Sequence, residues 1–282
     1  MIMPNLSFLI KVSRPRFWLY LFGPYLIGLA AGATHLGSLS RLPYIMLGAY
    51  FLFPANLFVY GINDIFDYET DKLNPKKVDY ETLVTPEKRY GLWLAIFVTN
   101  FAFVDILFLA EWPVVVPALT FLALAAFYSS PPIRAKSIPI LDSAFNVLYI
   151  MPGVLAYGLV TNEFPTLNVI VAGGLWTMAM HAYSAIPDIV ADRTASVSTI
   201  ATFFGKEGTL LFCLAAYLGS ALLAFPYLGV FGFGVAAIFI AMIVVTYLST
   251  KQDAVFSIYR FFPIVNALVG FVLFWFVASK FL

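Results

Sequence analysis

The sequence predicts an all-α integral membrane protein with nine transmembrane helices. Of its 282 residues, 62% are hydrophobic and 11% are charged, and the mean hydropathy is +0.91. Soluble domains carry roughly a quarter charged residues, so this composition excludes a soluble globular protein. The apolar residues form runs of about 20, the length that a helix needs to cross a hydrocarbon core roughly 30 Å thick. Strands of a membrane barrel would instead show short segments of alternating polarity.

The nine apolar runs are separated by polar or proline-containing segments, which are typical of turns between helices. The runs cover residues 15–35, 43–66, 90–110, 113–129, 141–160, 167–188, 208–225, 229–249 and 258–280. The breaks lie at residues 37–41, 67–89, 111–113, 131–139, 162–165, 192–208, 226 and 251–253. The first run continues too long for the apolar region of a cleavable signal peptide, so we interpret it as the first span.

The distribution of lysine and arginine predicts the orientation of the chain. With a cytoplasmic N-terminus, 14 of the 16 cations lie on the cytoplasmic side, and only Arg41 and Lys280 lie outside. This bias predicts a multi-pass protein of the cell membrane with its N-terminus in the cytoplasm. The net charge of +1 gives no indication of nucleic-acid binding, and the sequence leaves the oligomeric state open.

An acidic motif follows the second predicted span and reads Asn63-Asp64-x-x-Asp67-x-x-x-Asp71. On a regular helix, the spacing i, i+3, i+7 stacks the three carboxylates on one face over two turns. Like charges repel at that spacing, and each charge left in a bilayer costs about 2.5–3.5 kcal/mol or more. The motif therefore indicates a site for a cation.

A second acidic pair, Asp188 and Asp192, follows the sixth predicted span at the same membrane face. The equivalent places of the two motifs, four spans apart, suggest two related halves around a central cavity. Magnesium suits such carboxylates, because it binds a few of them and completes its shell with water and substrate phosphate oxygens. The basic residues on the same face are expected to bind the remaining phosphate charge of a diphosphate. They are Arg134, Lys136, Arg193, Lys76 and Lys77.

With these two motifs on nine helices, the chain resembles the UbiA superfamily of intramembrane prenyltransferases over its whole length, as a single domain of residues 1–282. The first motif matches the family's N-D-x-x-D-x-x-x-D in full, and residues 128–136, Tyr-Ser-Ser-Pro-Pro-Ile-Arg-Ala-Lys, look like the family's loop after helix four. Within the superfamily, residues 74–77, 181–189 and 192–202 look most like the lycopene elongase branch. One departure is Ser196, where that branch is expected to carry glycine.

The resemblance implies a magnesium-dependent enzyme that ionises an allylic diphosphate, with its active site open to the cytoplasm. The implied partners are an isoprenyl diphosphate, here dimethylallyl diphosphate, a lipophilic acceptor of the lycopene type, and membrane lipids. Hydration of the product is implied as well. Asn63 would bind a diphosphate oxygen or orient Asp67. The implied magnesium ligands, direct or through water, are Asp64, Asp67, Asp71, Asp188 and Asp192.

His181 precedes Asp188 by seven residues, which on a regular helix places both side chains on one face. This position predicts either a base that deprotonates the carbocation or directs water to it, or a hydrogen-bonded structural residue. Asp105, inside the third predicted span, is expected to be a buried carboxylate.

Two alternatives to the carotenoid reaction stay open at this stage. One is prenylation of an aromatic acid, a quinone head group or a chlorophyll-type alcohol by the same fold. Nearly apolar spans favour a hydrocarbon acceptor instead. The other is a cation-coupled transporter, because carboxylates in spans also mark ion pathways. Transporter sites lie near the bilayer midplane, whereas these carboxylates lie at one face.

Overall fold

The structure, a computed structural model, describes residues 4–72, 82–105, 110–249 and 252–281. These residues contain helices and turns and no strand, so the all-α prediction is confirmed for them. The α-helices are α1 (Leu6–Val12), α2 (Leu19–Gly32), α3 (Leu42–Leu52), α4 (Pro54–Phe66), α5 (Tyr68–Asp71), α6 (Pro86–Phe101), α7 (Trp112–Ser129), α8 (Leu141–Ala144), α9 (Met151–Thr161), α10 (Leu167–Ala185), α11 (Ile189–Thr194), α12 (Ile200–Leu228), α13 (Val230–Leu248), α14 (Gln252–Tyr259) and α15 (Phe262–Ala278).

Seven helical segments among the described residues are long and apolar enough to cross a membrane. They are Leu42–Phe66, Trp112–Ser129, Leu141–Thr161, Leu167–Thr194, Ile200–Leu228, Val230–Leu248 and Val255–Phe281. The other two predicted spans coincide with α2 and α6, which have 14 and 16 residues. At 1.5 Å per residue these helices are about 21 and 24 Å long, shorter than the hydrocarbon core. Nine spans and the cytoplasmic N-terminus therefore stay predictions.

The chain divides into two compact units. The first comprises Met1–Arg134, Met151–Phe164 and Phe271–Leu282, and the second comprises Ala135–Ile150 and Pro165–Gly270. Asp105 belongs to the first unit, where its side chain is exposed, so the expectation of a buried carboxylate was wrong. The residue lies beyond the end of α6, because that helix stops at Phe101 rather than near residue 110.

Glycines allow the helices of the first unit to approach each other backbone to backbone. A Cβ atom at Gly28 of α2 would lie 2.1 Å from the carbonyl oxygen of Gly153 in α9. A Cβ atom at Gly158 would lie 2.4 Å from the carbonyl oxygen of Pro113, at the start of α7. Close packing of small residues is a main source of helix association in membranes, because lipid offers no hydrophobic driving force between helices.

A hydrophobic cluster in the same unit joins α1, α4 and α6. It consists of Val12, Leu57, Ile62, Ile65, Val84, Leu92 and Ile96, all nearly inaccessible to solvent. Ile62 and Ile65 of α4 point into this cluster, so the opposite side of the same helical turns carries Asn63 and Asp64. Packing of the apolar face thus fixes the direction of the acidic motif.

The second unit is built on α10, α12 and α13, which share an aromatic cluster. The ring of Trp176 lies 4.8 Å from Tyr217 and 4.5 Å from Phe239, measured between centroids. A hydrogen bond between α12 and α10 adds to this packing. Ser220 Oγ donates to the carbonyl oxygen of Ala172 at 2.8 Å. Gly205 interrupts α12 with φ of 69°, a left-handed conformation that favours glycine.

We expect Gly28→Ala to lower the melting temperature of the detergent-solubilised protein, because its methyl group would meet a backbone oxygen that cannot rotate away. Such overpacking costs about 1–3 kcal/mol. The matched control is Gly23→Ala in the same helix, where an added Cβ has no atom within 4 Å among the described residues. Equal melting temperatures for both variants would contradict the close approach of α2 and α9.

Candidate active site

The first acidic motif lies where α4 ends. Asp67 is the C-cap of α4, with φ of −104° and ψ of 6°, and Asp71 belongs to the separate short helix α5. The regular helix that the spacing implied is therefore interrupted at Asp67. A hydrogen bond of 2.8 Å from the Asp71 N–H to the Asp67 carbonyl keeps the two helices connected. Asp64 and Asp67 are each 2% exposed, whereas Asp71 is half-buried.

Asp64 forms a buried ion pair with Arg14. In the sequence analysis, Arg14 was only one of the cations that predict the orientation of the chain. The Nη2 atom of Arg14 donates to Oδ1 of Asp64 at 2.7 Å, and its guanidinium lies 4.7 Å from the centre of the Tyr60 ring. Both contacts stabilise the cation, one by charge and one by the negative face of the ring. This pair connects two segments that are 50 residues apart.

The turn before α2 holds Arg14 in place. Arg14 itself has a left-handed backbone with φ of 51°, next to Pro15. Ser13, which is fully buried, accepts a hydrogen bond of 3.1 Å on its carbonyl from the Trp18 indole N–H. The Ser13 hydroxyl in turn donates to the Ile10 carbonyl at 2.8 Å. These bonds fix the backbone from which the arginine reaches Asp64.

The side chain of Asp67 lies beside Ser129 and Arg134, and Asn63 binds the first of these. The Nδ2 atom of Asn63 donates to Ser129 Oγ at 2.9 Å, and Ser129 Oγ donates to Asp67 Oδ2 at 3.3 Å. The Nη2 atom of Arg134 lies 3.7 Å from Asp67 Oδ1, and the arginine side chain stays 44% exposed. Asn63 thus acts on Asp67 through Ser129, which the sequence reasoning missed. The serine precedes the loop that carries Arg134, and this adjacency was the available signal.

The basic residues that do not contact Asp67 have different surroundings. Lys72, just after α5, donates to Glu69, and this contact raises the pKa of the lysine ammonium. Lys136 lies in a 3₁₀ turn, Ala135–Ser137, and is half-buried. The predicted diphosphate ligands Lys76 and Lys77 lie outside the residues that the structure describes.

The second acidic motif lies in the second unit, where α10 gives way to α11. A 3₁₀ turn, Ile186–Asp188, separates the two helices, and Asp188 is the N-cap of α11. Asp188 and Asp192 are both half-buried. The Val197 N–H donates to the Asp192 carbonyl at 2.8 Å and closes the turn that follows α11.

Arg193 contacts the start of α12. Its Nη2 atom donates to the Thr202 carbonyl at 3.3 Å. The side chain lines a cavity of about 460 Å³ within the second unit, together with Lys206 and Glu207. The remaining lining residues are Ile186, Ile189, Val190, Phe204, Gly205 and Val255. The role of Arg193 as a diphosphate ligand stays a prediction.

His181 is held by groups from α8. Its Nδ1 atom lies 3.1 Å from Ser143 Oγ and 4.0 Å from Asp142 Oδ2. His181 and Asp188 do not belong to one regular helix, as the spacing of seven residues assumed, because α10 ends at Ala185 and a 3₁₀ turn follows. Asp142 and Ser143 were not identified as candidate site residues from the sequence. A carboxylate inside a predicted span is itself a signal of function, and Asp142 carried that signal.

The donor chemistry of the two motifs fits magnesium, since all five residues offer carboxylate oxygens. Across residues 4–72, 82–105, 110–249 and 252–281, no three carboxylate, imidazole or thiolate side chains converge on one metal position. In the described arrangement, arginines provide positive charge beside Asp64 and Asp67.

Comparison with known proteins decides the family. A model of the UbiA prenyltransferase family matches residues 21–264. The chain belongs to this family. It is therefore a prenyltransferase, and the predicted resemblance to this family is confirmed.

Three curated relatives cover between 78% and 95% of the chain. The lycopene elongase/hydratase of Halobacterium salinarum is 41% identical over 279 residues, which cover 94% of this chain and 94% of that protein. The protein of the same name from Haloferax volcanii is 39% identical, covering 95% of this chain and 88% of its own length. The Corynebacterium glutamicum lycopene elongase/hydratase is 31% identical, with 78% and 77% covered.

Solved structures share the fold of this UbiA family member. A UbiA homologue of Archaeoglobus fulgidus bound to GPP and Mg²⁺ gives a TM-score of 0.69 at 20% identity, with 96% of this chain and 99% of that chain covered. The same homologue bound to DMAPP and Mg²⁺ gives a TM-score of 0.67 at 18% identity, with 97% and 99% covered.

We expect Arg14→Gln to destabilise this prenyltransferase by about 3 kcal/mol, because the buried Asp64 carboxylate would lose its counter-charge. Thermal unfolding in detergent measures the effect, and the double variant Arg14→Gln, Asp64→Asn should regain most of the loss. Arg16→Gln is the matched control, since Arg16 is exposed. An Arg14→Gln variant as stable as this control would refute the importance of the pair.

Proposed function

We propose that this prenyltransferase ionises dimethylallyl diphosphate and adds the five-carbon group to the ends of a lycopene-type carotenoid, with addition of water. The observation that carries the proposal is the identity of 39–41% to lycopene elongase/hydratases along nearly the whole chain. The nearly apolar helices support a hydrocarbon acceptor as well.

The acidic motifs are proposed as the magnesium ligands of the reaction. Two of these carboxylates, Asp64 and Asp67, are buried, and each has a cation as its neighbour, the guanidinium of Arg14 or of Arg134. A buried carboxylate requires such a positive charge beside it. Bound magnesium would supply Lewis-acid neutralisation of the charge on the departing diphosphate. The proposed ligands are Asp64, Asp67, Asp71, Asp188 and Asp192.

Arg134 is proposed to bind the diphosphate while it stays beside Asp67. At 3.7 Å its guanidinium contacts the carboxylate loosely, and its 44% exposure leaves donors available for phosphate oxygens. Asn63 and Ser129 hold Asp67 in one orientation, so that the carboxylate need not reorganise during the reaction. Lys136, Arg193, Lys76 and Lys77 are proposed to contribute further positive charge toward the diphosphate.

His181 is proposed as the base that accepts the proton released when the carbocation is quenched. Its position in α10, within a predominantly apolar unit, supports this role, because exclusion of bulk water leaves a side chain to accept the proton. We propose further that residues 1–282 act as one prenyltransferase domain in the cell membrane. In that arrangement the N-terminus and the diphosphate site face the cytoplasm, as the cation bias predicts.

We expect Asp188→Ala and Asp67→Asn to abolish magnesium-dependent release of diphosphate from dimethylallyl diphosphate, because each removes a proposed metal ligand. Release is measured on purified protein in detergent with and without a chelator, and melting temperatures verify folding. Glu163→Gln, which changes an exposed carboxylate in a loop, should retain full activity. Folded variants that turn over as fast as this control would refute the ligand assignment, and activity that survives chelation would refute metal dependence.

Lycopene-producing cells that express the chain should accumulate carotenoids extended by five or ten carbons and carrying hydroxyl groups. Chromatography and mass spectrometry of the pigments measure this outcome. Purified protein offered dimethylallyl diphosphate with lycopene or with an aromatic acid provides the comparison. Consumption of the aromatic acid alone would replace the carotenoid proposal by the aromatic one.

A further inference from the structure

A polar cluster lies in the second unit at the start of the membrane-spanning segment Leu141–Thr161. Asp142 and Ser143 of α8 meet His181 of α10 there, at 4.0 and 3.1 Å from the Nδ1 atom. Asp142 and Ser143 are both fully buried, and the histidine side chain is 16% exposed. The histidine side chain therefore keeps a small exposed fraction, whereas the side chains of Asp142 and Ser143 have none.

Asp142 has a second contact that fixes it in place. Its Oδ2 atom accepts a hydrogen bond of 2.9 Å from the Ile200 N–H, at the first turn of α12. Helix N-termini stabilise negative charge, because their N–H groups and dipole point toward the anion. The same turn is closed by the reciprocal hydrogen bonds of Thr199 and Thr202. The start of α12 thus holds a carboxylate beside the histidine.

The Asp142 carboxylate near Nδ1 favours the tautomer of His181 that carries its proton on this nitrogen. With its Nδ1 atom directed at the Ser143 hydroxyl, His181 is held in one ring orientation. When Nδ1–H donates to Ser143 Oγ, the lone pair of the neutral ring lies on Nε2. A proton accepted at Nε2 makes an imidazolium, and the Asp142 carboxylate at 4.0 Å then stabilises the new positive charge.

We propose that Asp142 and Ser143 are positioning residues that make His181 the base of the hydration step. This inference rests on the proposed function. The C–O bond of the allylic diphosphate breaks first, and diphosphate leaves with the electron pair. The allylic cation then forms a carbon–carbon bond with the terminal double bond of the carotenoid, which leaves a tertiary cation. The oxygen of one water molecule forms a C–O bond to that cation, and its proton passes to Nε2 of His181.

The variants Asp142→Asn, Ser143→Ala and His181→Asn test the proposal in purified enzyme. The asparagine side chain at 142 still offers an oxygen to the Ile200 N–H but removes the charge. We expect all three variants to lower the amount of hydrated product about tenfold or more, the scale of general-base catalysis. Diphosphate release should change by less than about threefold, because ionisation precedes the proton transfer.

Ser220→Ala is the matched control for Ser143→Ala, since it removes another buried hydroxyl of the same unit, one that donates to the Ala172 carbonyl. It should leave the share of hydrated product unchanged. If Asp142→Asn lowers the melting temperature but leaves the fraction of hydrated product unchanged, Asp142 acts only as a helix cap, and the inference is overturned. A parent enzyme that extends lycopene without adding water would overturn it as well. Failure to extend lycopene at all would instead contradict the proposed function.

Discussion

Burial of charge is the constraint on which the internal packing of each unit depends. In a chain that is 62% hydrophobic, an ionised carboxylate inside a helix bundle is costly unless a cation or good hydrogen-bond donors lie beside it. Asp64 is paired with Arg14, and Asp142 accepts the Ile200 N–H. Each contact joins segments that are distant in sequence, by 50 and 58 residues. The buried polar groups proposed for the reaction therefore also determine which segments of the chain pack together.

The neighbourhood of Asp67 shows how chemical function and rigidity are combined. Ser129 accepts a hydrogen bond from Asn63 and donates one to Asp67. The ends of α4 and α7 therefore hold this one carboxylate together. The hydrophobic cluster around Ile62 and Ile65 fixes the opposite face of α4. Apolar packing sets the direction of the motif, and the hydrogen bonds set the orientation of its side chains.

Sequence patterns predicted the helical class, the acidic motifs and their places at helix ends, because hydrophobic length and charge are local properties of the chain. They did not predict that Arg14 pairs with Asp64 or that Ser143 contacts His181. Both contacts depend on how helices far apart in sequence pack, which no local spacing encodes. The helices α2 and α6 end before the predicted spans 15–35 and 90–110 do, because apolar residues continue past the helix ends. Hydropathy does not detect where a helix stops within an apolar run.

The place of Asp67 and Asp188 at helix ends has an electrostatic consequence. The carbonyl groups at the C-terminus of a helix carry partial negative charge, so a carboxylate there is disfavoured and a cation is favoured. Asp67 caps the C-terminus of α4, so the backbone dipole and the side-chain charge add with the same sign there. Asp188 lies between the C-terminal end of α10 and the N-terminus of α11, so the dipoles of these two helices oppose each other at that residue. Arg134 relieves this potential at Asp67, but only at 3.7 Å and with much of its side chain exposed. A small divalent cation would relieve it more completely, because its charge is higher and more concentrated than that of a guanidinium.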